Sequence, residues 1–265
     1  MLHVSNVPEP PVRSEEAHKG THGKLLVVGG SATSLGAPML AARAAYRVGC
    51  GYVRVALPRK MMAAGLSTLP EAVGVDRDDL RAAIADSQAI VVGPGLGTDA
   101  EADMLLDEVL ASDLPTVLDA DALNLLAARD AMPVLPQQAV LTPHPGEMAR
   151  LTGASVPHDD AGRERLAAAS TFGRVLVLKG PRTLVCDGTT LYRNTTGDST
   201  LAKAGTGDVL AGVIGAFLAA GMPAFDAAVL GVHRHGLAGE LVGRRLGRHG
   251  ALASDIADAM AEVLR

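Results

Sequence analysis

The stretch KLLVVGGS, residues 24–31, decides how this chain folds. Its apolar residues follow one another without the polar alternation of a strand that has one wet face. The strand is therefore expected to be covered on both sides, with two glycines then turning the chain. The same device recurs at 52–57, 89–93, 116–119, 140–142 and 175–179, each run ending in a turn rich in Gly, Pro or polar residues. Helical patterns lie at 38–48, 99–111, 146–151 and 159–170. This alternation predicts an α/β fold, a mostly parallel central sheet flanked by helices on both faces. The pattern breaks at 183–194, TLVCDGTTLYRN, which reads as two short strands joined by a hairpin turn at Asp187-Gly188. After it come only helical patterns, at 208–220, 224–244 and 254–264. No repeat and no linker follows residue 17. The expectation is an extended N-terminal arm over 1–17, bearing Pro8, Pro10 and Pro11 and either free or packed on a partner subunit, and a single domain over 18–265.

Composition narrows the chemistry. The 265 residues are 48% hydrophobic yet include three Phe, three Tyr and no Trp, so the core is aliphatic and a bound ring would lie against Leu, Val, Met or backbone. The net charge of −5 comes without a Lys/Arg block, which argues against nucleic-acid binding. Two cysteines, Cys50 and Cys186, suit a reducing compartment without a disulfide framework. The start has no apolar signal region, and no run is long enough to span a bilayer. A cytoplasmic protein without membrane partners is expected.

In open parallel sheets ligands bind at the carboxyl ends of strands, so the turns after the apolar runs carry the candidates. The strongest is Ala204-Gly205-Thr206-Gly207-Asp208, opening a helix. Two glycines allow close approach to a ligand, and the helix start offers N–H groups to an anion, where a plain helix cap would need only the Asp. Gly212 and Gly215 leave one face of that helix bare. There is no GxxxxGK[ST], which excludes the P-loop class. Gly93-Pro94-Gly95-Leu96-Gly97 serves equally as a tight turn or a ligand contact, and Gly36-Ala37-Pro38 resembles it, with Pro38 suited to a first helical position. Thr142-Pro143-His144-Pro145-Gly146-Glu147 sets a histidine and an acid three residues apart in a loop stiffened by two prolines. In Asp119-Ala120-Asp121, Asp121 serves either as a helix cap or in orienting a ligand or metal. Lys179-Gly180-Pro181-Arg182-Thr183 puts a cation at a strand end, suited to a phosphate or merely solvated. The remaining histidines read as surface or packing residues.

Taken in order, HKGTHGKLLVVGGS (18–31), GAPMLAA (36–42), VVGPGLG (91–97), VLDADALNLL (117–126), LTPHPGEMARLTG (141–153), VLKGPRT (177–183) and AKAGTGDVLAGVIGAFLAAG (202–221) resemble the ADP-dependent NAD(P)H-hydrate dehydratases, a branch of the ribokinase-like superfamily. The resemblance covers 18 to about 245 and lacks the epimerase domain that is fused to some members. It implies that nucleotide sits near Lys179, Gly180, Pro181, Arg182, Thr183 and Gly207. The hydrated nicotinamide would lie near Ala37, Gly95, Gly97, His144 and Asp208. Gly205, Thr206 and Gly207 would form the anion hole, Asp208 would be the catalytic base, and Glu147 would act on Mg²⁺ through water. His144 stands where the related kinases carry Asn. The implied reaction uses ADP to phosphorylate the C6 hydroxyl of the S-epimer of hydrated NADH or NADPH, then eliminates phosphate. The implied assembly is a homo-oligomer, a tetramer, working alongside a separate epimerase, and three apolar C-terminal helices point the same way. A vitamin-type kinase similar to hydroxyethylthiazole kinase and a silent nucleotide-binding protein are the alternatives. Two expectations concern the site itself. The helix N-terminus should depress the Asp208 pKa. The loop before the anion hole, Asp198-Ser199-Thr200 where many members carry Asn-Pro-Gly, should lose rigidity.

Overall fold

The computed structural model describes residues 1–12, 16 and 20–264. His18 and Lys19 of the first motif, and with them the expected boundary at 17/18, lie outside the described residues. Ten strands form one sheet: β1 (Leu2–Val4), β2 (Lys24–Val28), β3 (Tyr52–Leu57), β4 (Val73–Asp76), β5 (Ala89–Val92), β6 (Thr116–Leu118), β7 (Ala139–Leu141), β8 (Val175–Leu178), β9 (Leu184–Cys186) and β10 (Thr190–Arg193). Their order is β1-β10-β9-β8-β7-β6-β5-β2-β3-β4, parallel from β4 to β8 and antiparallel across β9. The α-helices among the described residues are α1 (Gly36–Arg47), α2 (Met62–Thr68), α3 (Leu80–Ala85), α4 (Ala100–Leu110), α5 (Asp121–Ala127), α6 (Pro145–Thr152), α7 (Asp160–Ala169), α8 (Thr206–Ala219), α9 (Ala224–Gly250) and α10 (Ala253–Val263).

Side chains on the central strands divide between two cores, as an uninterrupted apolar run requires when successive residues point to opposite faces. Leu25 and Val27 join α1, α8, α9 and α10 on one side, while Leu26 and Val28 join α3, α4 and α5 on the other. Helix α8 is apolar around nearly its whole girth because it lies in the middle of the first layer. Its bare face is used: a Cβ on Gly212 would stand 2.0 Å from the Ala41 carbonyl oxygen of α1, and one on Gly215 would stand 2.4 Å from Val91. The apolar faces of α8, α9 and α10 thus close on the chain's own core, and they do not themselves call for a partner subunit.

The single α/β sheet is as expected, and the differences lie at its margins. The first residues of the arm pair in parallel with β10 at the sheet edge, Leu2 opposite Thr190. The hairpin turns where anticipated, because the Asp187 carboxylate accepts from the N–H groups of Thr189 and Thr190. Strand β4 and the short helices α2 and α3 have no counterpart in the sequence reading. VGVD of β4 is a half-exposed edge strand with no apolar run to betray it.

Candidate active site

The chain leaves β2 toward β3 and β4 and returns to β5 on the other side of β2. Such a reversal opens a crevice at the carboxyl ends of the two strands. Ala37, in the first turn of α1, and Gly95 and Gly97, after β5, all belong to the loops that border it. Gly95 has φ 62°, and a Cβ there would lie 2.3 Å from the Ser34 carbonyl oxygen, so only glycine lets the two loops meet. Pro38 is the third residue of α1 rather than the first, since the helix begins at Gly36.

Asp121 does not cap α5 but is its first residue. Ala120 is the N-cap of α5 and takes the unfavourable φ of 49°. Asp121 is thereby freed to accept from the Gly97 N–H at 2.9 Å and from Asn124 Nδ2 at 3.2 Å. Asn124 Oδ1 accepts from Arg150 Nε at 3.0 Å, which ties the glycine loop to α6.

Asp119, 1% exposed at the end of β6, accepts from Thr142 Oγ1 and from Lys179 Nζ, each at 2.7 Å. Lys179 follows β8, and its ammonium also stands 3.7 Å from Glu147 Oε2. Burial works against this ammonium, but Asp119, Glu147 and Asp208 around it prevail and hold its pKa above the ordinary lysine value. Glu147, itself buried, has its carboxyl pushed up by that burial, partly offset by Lys179.

His144 caps α6. Its Nδ1 accepts from Gly146 N–H at 2.9 Å and Glu147 N–H at 3.3 Å, while Glu147 Oε2 accepts from the His144 N–H at 2.7 Å. Two donors aimed at Nδ1 require a lone pair there, so the neutral ring carries its proton on Nε2. Burial, then Lys179 and Arg150, lower the pKa and keep the ring neutral. A histidine can therefore do the capping that an asparagine does and still present an N–H.

Helix α8 begins at the N-cap Gly205, in the left-handed region at φ 91°, with no side chain capping it. Asp208 is the third helical residue, so the reading of it as an ordinary N-cap fails. The expected depression of its pKa is also overturned. Burial first, then Asp119, Asp121 and Glu147, raise it to about 7 against the opposing pull of Lys179. The helix terminus is outweighed by burial first and then by the three other carboxylates that share the site. The Thr206 N–H is turned to Lys203 O at 3.4 Å. That leaves the first-turn N–H groups of Gly207 and Asp208, which no helical carbonyl precedes, to face a ligand.

Beside this turn lies a cavity of about 550 Å³ lined by Lys179, Gly180, Pro181, Arg182, Thr183, Thr206 and Gly207, with Leu201, Leu210 and Val232 as apolar wall. The structure thus brings the KGPRT segment and the glycine turn to one cavity, while Ala37, Gly95, Gly97 and His144 belong to the neighbouring crevice side. Three contributors carried no signal in the sequence. Arg163 on α7 is buried and donates to Pro181 O at 2.6 Å, holding the KGPRT turn. Asn194 and His235 also line the cavity. The loop before α8 is held by hydrogen bonds without Asn-Pro-Gly. Asp198 accepts from Thr200 N–H at 2.8 Å and from Arg248 Nε at 3.0 Å, and Gly197 N–H donates to Glu240 at 2.8 Å.

The profile of a family described as NAD(P)H-hydrate dehydratase matches residues 25–262. An ADP-dependent (S)-NAD(P)H-hydrate dehydratase of Neisseria meningitidis is 43% identical over 257 residues, covering 93% of this chain and 86% of that protein. A bifunctional NAD(P)H-hydrate repair enzyme of Coxiella burnetii is 39% identical over 93% of this chain, which spans 51% of that longer protein. The ADP/ATP-dependent NAD(P)H-hydrate dehydratase of Bacillus subtilis, co-crystallised with ATP and Mg²⁺, superposes with a TM-score of 0.82 at 34% identity, covering 96% of this chain and 92% of that one.

The raised Asp208 pKa has a consequence for stability. A carboxyl at 3.8 unfolded and about 7 folded binds more protons in the folded state between those values, so stability falls as pH rises through that window. Asp208→Asn removes this penalty. Its melting midpoint should match the parent near pH 4 and exceed it at pH 8, by at most about 4 kcal/mol of stability. Thermal melts of both proteins across that range check this, and a variant less stable than the parent at pH 8 would contradict it.

Proposed function

Because the chain belongs to the NAD(P)H-hydrate dehydratase family, we propose that it is an ADP-dependent hydro-lyase that returns the S-epimer of hydrated NADH or NADPH to the reduced dinucleotide. The observation that carries the reading is the position of Lys179, with Asp119 and Glu147 on one side and the first turn of α8 on the other. A Cβ on Gly207 would stand only 3.3 Å from Lys179 Nζ. Lys179 lines the KGPRT cavity and stands among the carboxylates Asp119, Glu147 and Asp208, and we read this as the place where a phosphoryl group passes from one ligand to the other.

The chemistry follows from what each group can do. Hydroxide leaves poorly from C6 of the hydrated ring. The Asp208 carboxylate takes the C6 hydroxyl proton as that oxygen attacks the β-phosphorus of ADP, and AMP departs. The ring-nitrogen lone pair then expels phosphate, and loss of the C5 proton restores the double bond. Hydrated NAD(P)H and ADP thus give NAD(P)H, AMP and phosphate. Phosphoryl transfer of this kind is mainly positioning and charge stabilisation, which suits a site of N–H groups, one lysine and a carboxylate base. A base with a pKa of about 7 suits proton transfer at neutral pH better than one well below it. On this reading His144, whose Nε2 stands 3.4 Å from Glu147 Oε1, contacts the dinucleotide, and Ala37, Gly95 and Gly97 pack against it.

Mg²⁺ fits the residues present. Among the described residues no three acidic, His or Cys side chains form a ligand set of their own, which suits Mg²⁺, an ion that commonly keeps its waters and is held by one or two carboxylates plus phosphates. Glu147 is only 6% exposed and its Oε2 already accepts from His144 N–H, which suits contact through water rather than direct ligation. When bound, the ion would neutralise phosphate charge. Among the described residues no helix is long and apolar enough to cross a membrane. We read the protein as cytoplasmic, partnered functionally by a separate epimerase, and as a tetramer on family grounds.

The test mixes protein, Mg²⁺, ADP and hydrated NADH and follows the near-UV absorbance of the dihydronicotinamide. The expected result is recovered absorbance with AMP and phosphate as products, ADP serving better than ATP. Asp208→Asn should lose about 10²-fold or more in turnover while retaining ADP affinity. A stable phosphorylated product would mark a kinase instead, and an Asp208→Asn protein within a fewfold of parental turnover would remove the base from the mechanism.

A further inference from the structure

Arg150 lies on α6 one turn after Gly146, so its side chain leans back toward the start of that helix. Its guanidinium is held there by one atom. Nε donates to Asn124 Oδ1 at 3.0 Å, Asn124 donates to Asp121, and Asp121 accepts from the Gly97 N–H. The anchor is thus the glycine loop that borders the β2/β5 crevice. The residue is exposed. Among the described residues, none accepts a hydrogen bond from its Nη1 or Nη2 and no carboxylate pairs with it.

The tether is an amide rather than an acid, and the difference matters. A carboxylate fixes a guanidinium by neutralising it, as Asp103 does for Arg129 and Glu262 for Arg245. An amide fixes the position and leaves the whole positive charge, with two nitrogens free to donate. The adjoining residues keep the space beside it clear. A Cβ on Gly146 would stand 2.8 Å from His144 Cε1 and 3.7 Å from Arg150 Nη1, so the imidazole and the guanidinium flank one bare position. The two are close enough that the Arg150 charge, after burial and Lys179, helps to lower the His144 pKa.

A fixed, uncompensated guanidinium with two free nitrogens matches a phosphate. Of the two substrates, ADP is assigned to the cavity that contains the KGPRT segment, and Arg150 does not line it. We propose that Arg150 is a binding residue for the dinucleotide substrate, its Nη1 and Nη2 donating to a phosphate group of that molecule. The shared chemistry is a phosphate, supplied either by the pyrophosphate bridge common to both dinucleotides or by the 2′-phosphate that only NADPH carries. This rests on reading the crevice as the dinucleotide site.

Calorimetry tests it, measuring binding of NADH, NADPH and ADP to the full chain and to Arg150→Gln and Arg150→Lys. Melting midpoints and the KM and kcat for hydrated NADH and hydrated NADPH are measured alongside. Arg150→Gln should stay folded, weaken dinucleotide binding about tenfold or more, raise its KM with kcat little changed, and keep parental ADP affinity. Weakening of NADH and NADPH alike identifies the pyrophosphate, and weakening of NADPH alone identifies the 2′-phosphate. Arg150→Lys, which keeps the charge without the planar fork, should recover part of the affinity. A folded Gln variant that matches the parent for both dinucleotides, or one that loses ADP to the same extent, overturns the proposal. If the parent restores NADH from its hydrate and the Gln variant does so with the same KM, only the role of Arg150 fails. If the parent neither binds dinucleotide nor restores it, the reading of the function fails, and this proposal with it.

Discussion

The Lys179 ammonium is the constraint on which the site depends. It is 18% exposed, it donates to Asp119 at 2.7 Å, and Glu147 and Asp208 lie close enough to influence its charge. A buried charge is tolerated only when it is paired and hydrogen-bonded. Here one cation stabilises Asp119 at the end of β6, Glu147 in the first turn of α6 and Asp208 in the first turn of α8. Burial first, and then Asp119, Asp121 and Glu147, raise the Asp208 carboxyl to about 7 although Lys179 pulls the other way. The buried pair at Asp119 and the reactivity of Asp208 are therefore one electrostatic arrangement.

The backbone serves that arrangement. Parallel strands bring Asp119, His144, Glu147 and Lys179 to one edge of the sheet, and the switch between β2 and β5 opens the adjoining crevice. The glycine turn before α8 then admits Lys179 beside the helix N-terminus, where N–H groups are available to an anion. Reciprocal capping between His144 and Glu147 fixes the ring in one tautomer and one direction.

Much of this was legible in the sequence because it rests on local rules. Uninterrupted apolar runs such as LLVV mark strands buried on both faces, and Asp-Gly marks the hairpin. The position of AGTGD, TPHPGE and KGPRT after such runs places them on the same edge. What was not legible depends on distant residues meeting. The Asp208 pKa was misjudged because a helix terminus is visible in one segment, whereas the opposing carboxylates come from Asp119, Asp121 and Glu147, far away in the chain. Arg163 looks like any exposed helical arginine until it is found beneath Pro181. Asp198 looks like a loss beside Asn-Pro-Gly until Arg248 and Thr200 are found bound to it. Strand β4 escaped because an edge strand needs no apolar run.

Burial, with the carboxylates around Lys179, leaves Asp208 poised between ionised and neutral near neutral pH. A carbon-13 NMR titration of the aspartate side-chain carboxyls, with the Asp208 resonance assigned by its absence in an asparagine variant, tests this in the free protein. The account predicts a midpoint near the value of about 7 set by burial and the neighbouring acids. A midpoint below about 5, in the range of an ordinary aspartate, would contradict it.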